Sequence, residues 1–439
     1  MIQRPKRKIR IKRVILLSIT VVLLIVTCLI FYLKIKEDNR KKHLLKIEEE
    51  KQQEIMKQEE LKNDILNHYN KYVITNDIID IYKLEGSQYI KSGSIGKSQT
   101  IELKELEVTY NDLYLPLETF DDYYVYYKDI SKIDNIEEYD LRYKNYIPYN
   151  QNIITSDITN FYDLDNNLIY SFNNSFDLPI IVKENDKYGV EFNNRLLYVK
   201  KENIKDIQER SNTSLNNTDS IAVLNYHFFY DNSLESERKN CNQTICLSTQ
   251  MFRTHLDYIK NNNIFTPTLE EFEMYLDEKI QLPKSVVITI DDGWRSEQGI
   301  AVLEEYELNA TVFLITVYHE TVPFLHTYKY VEYHSHGDDI HNQGDCPGGQ
   351  GGAIKCKDRE FLLNDLKVSS EKLDGSKYFC YPFYEYNDYS ISILKEAGYR
   401  MAFAGGGKRA YIGVDKYRIP RFAIQYNETA NDIAHYIGK

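Results

Sequence analysis

The chain has 439 residues, of which 42% are hydrophobic, enough for two or three domains with a sizeable core. Its formal net charge is −12, and a strongly basic start is followed by a more acidic remainder. A nucleic-acid-binding protein would carry a basic patch on its folded part, so we expect no nucleic-acid partner.

The N-terminus predicts a membrane anchor. Seven Lys and Arg residues in the basic tail 1–13 precede the apolar segment 14–34. A helix rising about 1.5 Å per residue over this segment spans a bilayer core of about 30 Å. The alternative is a cleaved signal peptide, but the apolar run is long and charged residues follow it instead of a cleavage site. The basic flank predicts a single-pass protein of the cell membrane with a cytoplasmic N-terminus and all later domains extracellular.

Residues 35–68 are rich in Lys, Glu and Gln and contain no Pro or Gly. This composition predicts a helical stalk.

Residues 69–207 have short apolar runs rich in Ile, Tyr, Val and Thr, separated by Asn, Asp, Gly and Ser, which predicts strands. The pattern repeats: 74–78 matches 154–158 at an offset of 80, and 124–133 matches 198–207 at an offset of 74. We predict two small all-β repeats, 69–138 and 139–207, followed by a polar linker, 208–220. The repeats resemble bacterial SH3-like modules. A ligand in the cell wall and a role as a spacer without any ligand are both open.

From residue 221 the pattern alternates between short apolar strands and helices, which predicts an α/β domain at 221–439 with a parallel sheet, open or closed into a barrel. The predicted strands are 221–226, 286–290, 310–315, 378–381 and 401–404, with 419–422 in a last strand. The predicted helices are 249–262, 269–278, 295–306, 361–373 and 391–397. Chemistry in such folds lies at the carboxyl ends of the strands.

Two adjacent carboxylates, Asp291 and Asp292, follow the strand 286–290, and Gly293 then breaks it. Such a pair is expensive to bury without a cation, although a solvated turn is the alternative. Further along, His334, His336 and His341 fall within eight residues. Imidazole nitrogens beside a carboxylate are the ligands of zinc and related metals, so the two segments together predict a metal site.

Three ordered motifs resemble those of the polysaccharide deacetylases, carbohydrate esterase family 4. The first is Ile-Thr-Ile-Asp-Asp-Gly at 288–293, and the second is Ser335-His336 with His341. The third is Phe-Cys-Tyr-Pro-Phe at 379–383, followed by Glu-Tyr-Asn at 385–387. The histidine spacing is similar to that of the poly-N-acetylglucosamine deacetylases and related Gram-positive surface deacetylases. Flanking residues agree, among them Leu-Asn-Tyr-His at 224–227 and Ile-Pro-Arg-Phe at 419–422.

The resemblance implies a distorted (β/α) barrel that removes acetyl groups from N-acetylated sugars. Asp292, His336 and His341 would bind a divalent metal, Zn²⁺ first and Co²⁺, Ni²⁺ or Mn²⁺ as alternatives. Asp291 would be the general base, and the backbone N–H of Phe383 would stabilise the oxyanion.

The implied function is hydrolysis of N-acetyl groups from an N-acetylglucosamine polymer, either peptidoglycan or an exopolysaccharide, with release of acetate. The alternative is a non-catalytic wall-binding surface protein whose esterase domain has decayed.

Two departures from the family motif affect the catalytic residues. Cys380 stands where many members carry Arg, and Phe383 stands where they carry Tyr. Arg418 or Arg421 would then supply the positive charge beside Asp291. No histidine clearly matches the late general acid of the family, because the only one after His341 is His435, in a predicted terminal helix. The acid is therefore unassigned, and a double role of Asp291 as base and acid is open. For His227 and His334 we expect structural or supporting roles.

The six cysteines agree with an extracellular domain. Cys241 and Cys246 are close in sequence, and Cys346 and Cys356 bracket a Gly-rich loop, 347–354, that is placed to shape a sugar groove. Two local disulfides in an oxidising compartment, or a zinc site made of these four, are both open. Cys28 lies in the predicted membrane segment, and Cys380 would be free.

Overall fold

The computed structural model describes residues 6–135, 139–210, 217–241, 243–319 and 327–438, with side chains from residue 13 onward. Parts of the predicted basic tail and of the linker 208–220 lie outside the described residues. The chain divides into two compact units, residues 1–137 and 138–439.

Unit 1 begins with one continuous helix, α1 (Lys6–His68), so the predicted membrane segment and stalk form a single helix. Its stretch from Arg13 onward is long and apolar enough to cross a membrane, by length and composition. The side chains of the apolar stretch are exposed, as for Leu17 at 70%. At its other end, Ile65 is buried and Asp64 accepts a 2.7 Å hydrogen bond from the hydroxyl of Tyr127. The helix therefore ends against the β module that follows it.

That first β module has seven strands. They are β1 (Tyr72–Thr75), β2 (Ile79–Glu85), β3 (Gln88–Ile95), β4 (Thr100–Glu102), β5 (Tyr114–Pro116), β6 (Tyr123–Tyr126) and β7 (Ile130–Lys132). β1 pairs with β4 and β7, and the remaining strands pair in the order β3-β2-β6-β5. All these pairings are antiparallel.

Unit 2 begins with a second β module of eight strands. They are β8 (Gln151–Thr155), β9 (Thr159–Tyr162), β10 (Leu168–Phe172), β11 (Asp177–Pro179), β12 (Val182–Lys183), β13 (Lys187–Phe192), β14 (Arg195–Lys200) and β15 (Ile204–Glu209). Here β8 pairs with β11 and β15, and the others pair in the order β10-β9-β14-β13-β12. The two modules thus share their order of pairing, while their likeness to SH3 domains stays a prediction.

Within unit 2 the second β module packs directly on the α/β domain. The guanidinium of Arg142 forms an ion pair with Glu271. Backbone hydrogen bonds of 2.8 Å run from Ile147 to Gln281 and from Lys183 to Lys279. Aromatic and aliphatic side chains of both parts share one core cluster. This module and the α/β domain therefore form one packed body.

The α/β domain alternates strands and helices as the sequence predicts. Its strands are β16 (Ser220–Tyr226), β17 (Phe228–Tyr230), β18 (Cys246–Ser248), β19 (Val286–Asp292), β20 (Ala310–Leu314), β21 (Val331–Ser335), β22 (Tyr378–Cys380), β23 (Met401–Phe403), β24 (Ala410–Tyr411) and β25 (Phe422–Ala423). Its helices are α2 (Glu235–Asn240), α3 (Thr249–Asn261), α4 (Leu269–Leu276), α5 (Glu297–Tyr306), α6 (Arg359–Lys372), α7 (Asp388–Glu396) and α8 (Ala430–Ile437). The sequence pattern did not predict β21.

The central sheet is parallel in the order β23-β22-β21-β20-β19-β16, with β24 antiparallel at its edge. The segment 419–424 joins the two sides of this sheet. Ile419 bridges Phe403 of β23, and Phe422 pairs with Leu224 of β16. The sheet is therefore curved, and the carboxyl ends of its parallel strands meet around one site.

β19 is buried on both faces, which explains its uninterrupted apolar sequence. Ile288 and Ile290 belong to the core cluster that includes residues of α3 and α5. Val287 points to the opposite cluster, which includes residues of α4. This two-sided packing fixes the position at which the strand ends and the carboxylates begin.

Candidate metal centre

The strand β19 ends in a turn that separates its two carboxylates. Asp291 is 2% exposed, whereas Asp292 is partly exposed. Asp292 has a φ of 70°, which is uncommon for a residue with a side chain, and Gly293 has a φ of 82°. A Cβ at Gly293 would lie 2.2 Å from Leu314. The turn therefore requires glycine, and it directs the two aspartates to different partners.

Asp292 faces two histidines that come from the segment after β21. Its Oδ1 lies 3.3 Å from Nε2 of His336 and 3.3 Å from Nε2 of His341. These three ligand atoms lie within 4.8 Å of one another. The sequence-predicted ligands are thus brought together at the carboxyl end of the sheet.

The segment with the two histidines is held in place from α6. Both carboxylate oxygens of Asp365 accept backbone hydrogen bonds, from Asp338 at 2.9 Å and from Asp339 at 2.7 Å. Lys372, on the same helix, donates to the side chain of Asp338. Asp365 therefore positions the loop between the two histidines.

The donor set fits a divalent metal of the zinc type. Nδ1 of His336 lies 2.8 Å from the carbonyl oxygen of Cys380 and can only donate to it. This contact leaves Nε2, which lies beside Asp292, as the ring nitrogen that could bind a metal. Burial would lower the pKa of His336, but Cys380, Asp292 and Asp291 hold it well above its ordinary value, so a metal bound there would displace a proton. Burial, the largest effect, lowers the pKa of His341 to about 4. His341 is therefore neutral at neutral pH, which is the form that binds a metal.

Asp291 is held by a network that does not involve those ligands. The two terminal nitrogens of Arg421 donate to its two oxygens at 2.8 and 2.9 Å. Its Oδ2 also accepts from Asn225 at 3.0 Å and from the thiol of Cys380 at 3.3 Å. Arg421 is itself fully buried, so the pair is desolvated on both sides.

Burial alone would raise the pKa of Asp291, but the charge of Arg421 and of nearby histidines holds it well below its ordinary value. The carboxylate is therefore ionised at neutral pH. An ionised carboxylate beside the metal ligands can accept a proton from water.

A second cluster of possible ligands, Asp291 with His336 and Cys380, also lies within 4.8 Å. The guanidinium of Arg421 contacts two of its three members, including Cys380 at 2.9 Å. A positive charge so close disfavours a second cation there. The set with Asp292 and His341 is therefore the one that suits a metal.

The comparisons with known proteins agree with this arrangement. The family model "Polysaccharide deacetylase" matches residues 278–402, which contain both aspartates and the two histidines of the candidate metal site. The chain carries a polysaccharide deacetylase domain.

Among sequence relatives, poly-beta-1,6-N-acetyl-D-glucosamine N-deacetylases of Staphylococcus aureus are 25% identical over 236 residues, covering 47% of this chain and 79% of theirs. Among solved structures, a de-N-acetylase from Aggregatibacter actinomycetemcomitans matches at 22% identity with a TM-score of 0.42, over 50% of this chain and 100% of the other. The Streptococcus pyogenes deacetylase PplD matches at 17% identity with a TM-score of 0.42, over 50% and 99%. The family assignment rests on the family model and the sequence relatives.

Phe383 of the deacetylase domain lies where the third motif reaches the site. Its ring centroid is 4.4 Å from that of His341. Phe383 and Tyr384 both have left-handed backbones, with φ values of 58° and 61°. Strained residues of this kind cluster at functional sites. The hydroxyl of Tyr384 accepts a 2.7 Å hydrogen bond from Asn225, which connects this loop to the Asp291 network.

The remaining histidines fall in different places. His227 follows β16, and its Nε2 lies 3.9 Å from Oδ2 of Asp291. Among the described residues its buried Nδ1 has no hydrogen-bond partner. His334 instead contacts Ser376, away from the ligands. His435 is exposed on α8, where its ring neighbour is Tyr436.

Of the two arginines considered for the place beside Asp291, Arg421 occupies it. Arg418 forms exposed ion pairs with Asp388 and Asp415. The third-motif cysteine, Cys380, contacts both Asp291 and Arg421, at 3.3 and 2.9 Å, without supplying a positive charge.

Four cysteines of the α/β domain form two local disulfides, Cys241 with Cys246 and Cys346 with Cys356. The zinc site considered as their alternative is therefore not formed. The glycine-rich loop closed by the second disulfide is tied to the third motif. Glu385 accepts backbone hydrogen bonds from Gln350 and Gly352, and it pairs with Lys355 at 2.7 Å.

Sequence reasoning missed three supporting residues, namely Asn225, Tyr384 and Asp365. Asn225 and Tyr384 lie in or beside segments that carry the family resemblance, so their positions could have been considered. Nothing in the sequence around Asp365 distinguishes it from other acidic residues of an amphipathic helix.

Proposed function

We propose that this protein is a metal-dependent N-deacetylase of N-acetylglucosamine polymers, held at the outer face of the cell membrane by α1. The deacetylase domain and the poly-N-acetylglucosamine deacetylases among its relatives support the reaction and the class of polymer. The basic tail and the apolar part of α1 support the anchor. Peptidoglycan and an exopolysaccharide are both polymers of this class.

One observation carries the proposal. The ligand atoms of Asp292, His336 and His341 converge at the edge of the sheet, while the neighbouring Asp291 is paired with Arg421 and takes no part in that set. Amide hydrolysis requires a site for the water and the carbonyl and a separate base, and the two aspartates divide these tasks.

A bound divalent metal, Zn²⁺ first, would lower the pKa of water and polarise the acetyl carbonyl. Asp291 would take the proton of the attacking water, and Arg421 would keep that carboxylate ionised and oriented. The backbone N–H of Phe383 would stabilise the negative charge that develops on the carbonyl oxygen. His227, whose Nε2 lies 3.9 Å from Asp291, would receive the proton from that carboxylate and deliver it to the departing amine, a role the sequence left unassigned. Burial lowers the pKa of His227, so it is neutral in the free chain and would carry the proton only during turnover.

The β modules would hold the deacetylase domain within the wall. We propose SH3-like modules for this role because their strand order repeats and because the second module packs on the catalytic domain. A wall ligand for either module is part of this proposal.

The test uses the full-length chain in detergent, reconstituted with Zn²⁺ and given acetylated oligosaccharides with β-1,4 or β-1,6 linkages, or purified cell wall. Release of acetate is the expected result. Binding to wall without acetate release from any of these substrates would support the non-catalytic wall-binding function instead.

A further inference from the structure

Trp294 is the only tryptophan of the chain, and it lies two residues after the metal-facing Asp292. Its side chain is 57% exposed. Tryptophan is usually largely buried because its removal from water contributes more than that of most side chains. A single exposed ring is not by itself a binding site, so its surroundings decide its meaning.

The surroundings fix the ring at the rim of the metal centre. The turn at Asp292 and Gly293 sets the direction in which the chain leaves β19, and its geometry leaves no room for a Cβ at Gly293. Phe228, 8% exposed, then supports the indole in a T-shaped contact with ring centroids 4.9 Å apart. An indole held on a rigid turn and supported by a buried ring loses little conformational entropy when it binds a ligand.

Other rings belong to neighbouring loops at the same edge of the sheet. Tyr318 follows β20, the strand next to β19, and its side chain is 72% exposed. Phe383 follows β22 and contacts His341 on the other side of the ligand set. Exposed or half-exposed aromatic rings thus follow three strands whose carboxyl ends lie at this edge of the sheet.

We propose that Trp294 is a stacking platform for a pyranose ring of the polymer, and that it holds the bound sugar at the rim of the metal centre by contributing binding free energy. This inference rests on the proposed function and names how its substrate is recognised. A β-linked N-acetylglucosamine unit is uncharged and its substituents are equatorial, so each face of the ring presents C–H groups. Such faces stack on an indole, and neutral apolar contact of this kind recognises the acetylated sugar without an ion pair.

The first experiment uses Trp294 as its own probe. Metal-free full-length chain is titrated with an N-acetylglucosamine oligosaccharide, and tryptophan fluorescence is excited where tyrosine does not absorb. We expect a saturable change in intensity and wavelength. With Trp294→Phe the signal disappears, which identifies its source, while oligosaccharide binding measured by calorimetry is largely retained because a ring remains.

The second experiment separates the binding of the sugar, measured by KM, from the chemical step, measured by kcat. In the Zn²⁺-loaded enzyme, Trp294→Ala should raise KM about ten-fold and change kcat less than two-fold, the size of one lost aromatic contact. Trp294→Phe should restore most of the KM. Tyr411→Ala is the matched control, because Tyr411 is also 57% exposed but pairs with Ser220 at the amino-terminal end of β16. Its KM should equal that of the unchanged protein.

The outcomes separate the platform from the reaction. Acetate release with no fluorescence change, or with an unchanged KM for Trp294→Ala, overturns the platform and leaves the deacetylase intact. A saturable fluorescence change without acetate release supports the platform and overturns the catalytic proposal. No change and no release overturn both.

Discussion

The guanidinium of Arg421 holds both carboxylate oxygens of Asp291, at 2.8 and 2.9 Å, in a pair that is buried from solvent. Such a pair is geometrically specific, since a planar fork meets a planar carboxylate. Arg421 lies on the segment that joins the two sides of the sheet. Arg421 therefore both orients the proposed base and lies in the segment that closes the curved sheet.

Removing this guanidinium should affect both stability and rate. Arg421→Ala leaves an unpaired carboxylate in the core, which typically costs about 3–5 kcal/mol of unfolding free energy. Urea unfolding and acetate release measure the two effects. Arg418→Ala is the matched control, because Arg418 pairs with a side chain that is 94% exposed and should change stability by less than about 1 kcal/mol. Equal losses in the two variants would contradict a special role for Arg421.

Replacing each of the two adjacent aspartates should change metal content and acetate release differently. Asp292→Ala removes one of the three proposed ligands, so both metal content and acetate release should be lost. Asp291→Asn leaves the ligand set complete, so the metal should remain while kcat falls by about 10²–10⁴. Elemental analysis of the dialysed protein, beside the activity assay, distinguishes them. Full activity of Asp291→Asn with bound metal would remove Asp291 from the role of base.

Much of this site could be predicted from sequence because its parts are local. The apolar run 286–290 followed by Asp-Asp-Gly predicts a strand and its end, and the spacing of His336 and His341 belongs to one loop. The family resemblance supplied the order of the motifs. The ligand set therefore needed no knowledge of distant contacts.

The pairings across the fold could not be predicted in the same way. Arg421 and Arg418 are equally basic in sequence, and only the route of the closing segment decides which one meets Asp291. The contact of Arg142 with Glu271 likewise joins a β module to a helix of another domain. Periodicity describes which face of an element is apolar, but it carries no information on which partner that face meets.

Replacing His227 should slow the transfer of a proton to the departing amine. His227→Gln should keep the metal and lower kcat by about 10²–10⁴, because no group then carries the proton from Asp291 to the amine. His334→Gln serves as control, since His334 contacts Ser376 away from the ligands. An unchanged kcat in His227→Gln would assign the proton transfer to another group.

The stability of the glycine-rich loop should depend on pH because Glu385 holds the loop in its folded conformation. Partial burial would raise the pKa of Glu385, but Lys355 and the N–H groups of Gly352 and Gln350 lower it to about 2. Because the folded-state pKa lies below the ordinary value, the ionised Glu385 stabilises the folded loop. This stabilisation is fully present above about pH 4.5 and is lost as pH falls toward about 2. We expect it to be about 1 kcal/mol, since the ion pair lies close to solvent.

Hydrogen exchange of the loop measures this dependence locally. The protection factors of the Gln350 and Gly352 amides, corrected for intrinsic rates, should fall between about pH 4.5 and about pH 2 in the unchanged protein. In Glu385→Gln they should be low throughout and show no such transition. Glu371→Gln removes an exposed ion pair on α6 and should follow the unchanged protein. A transition that persists in Glu385→Gln would show that another carboxylate secures the loop.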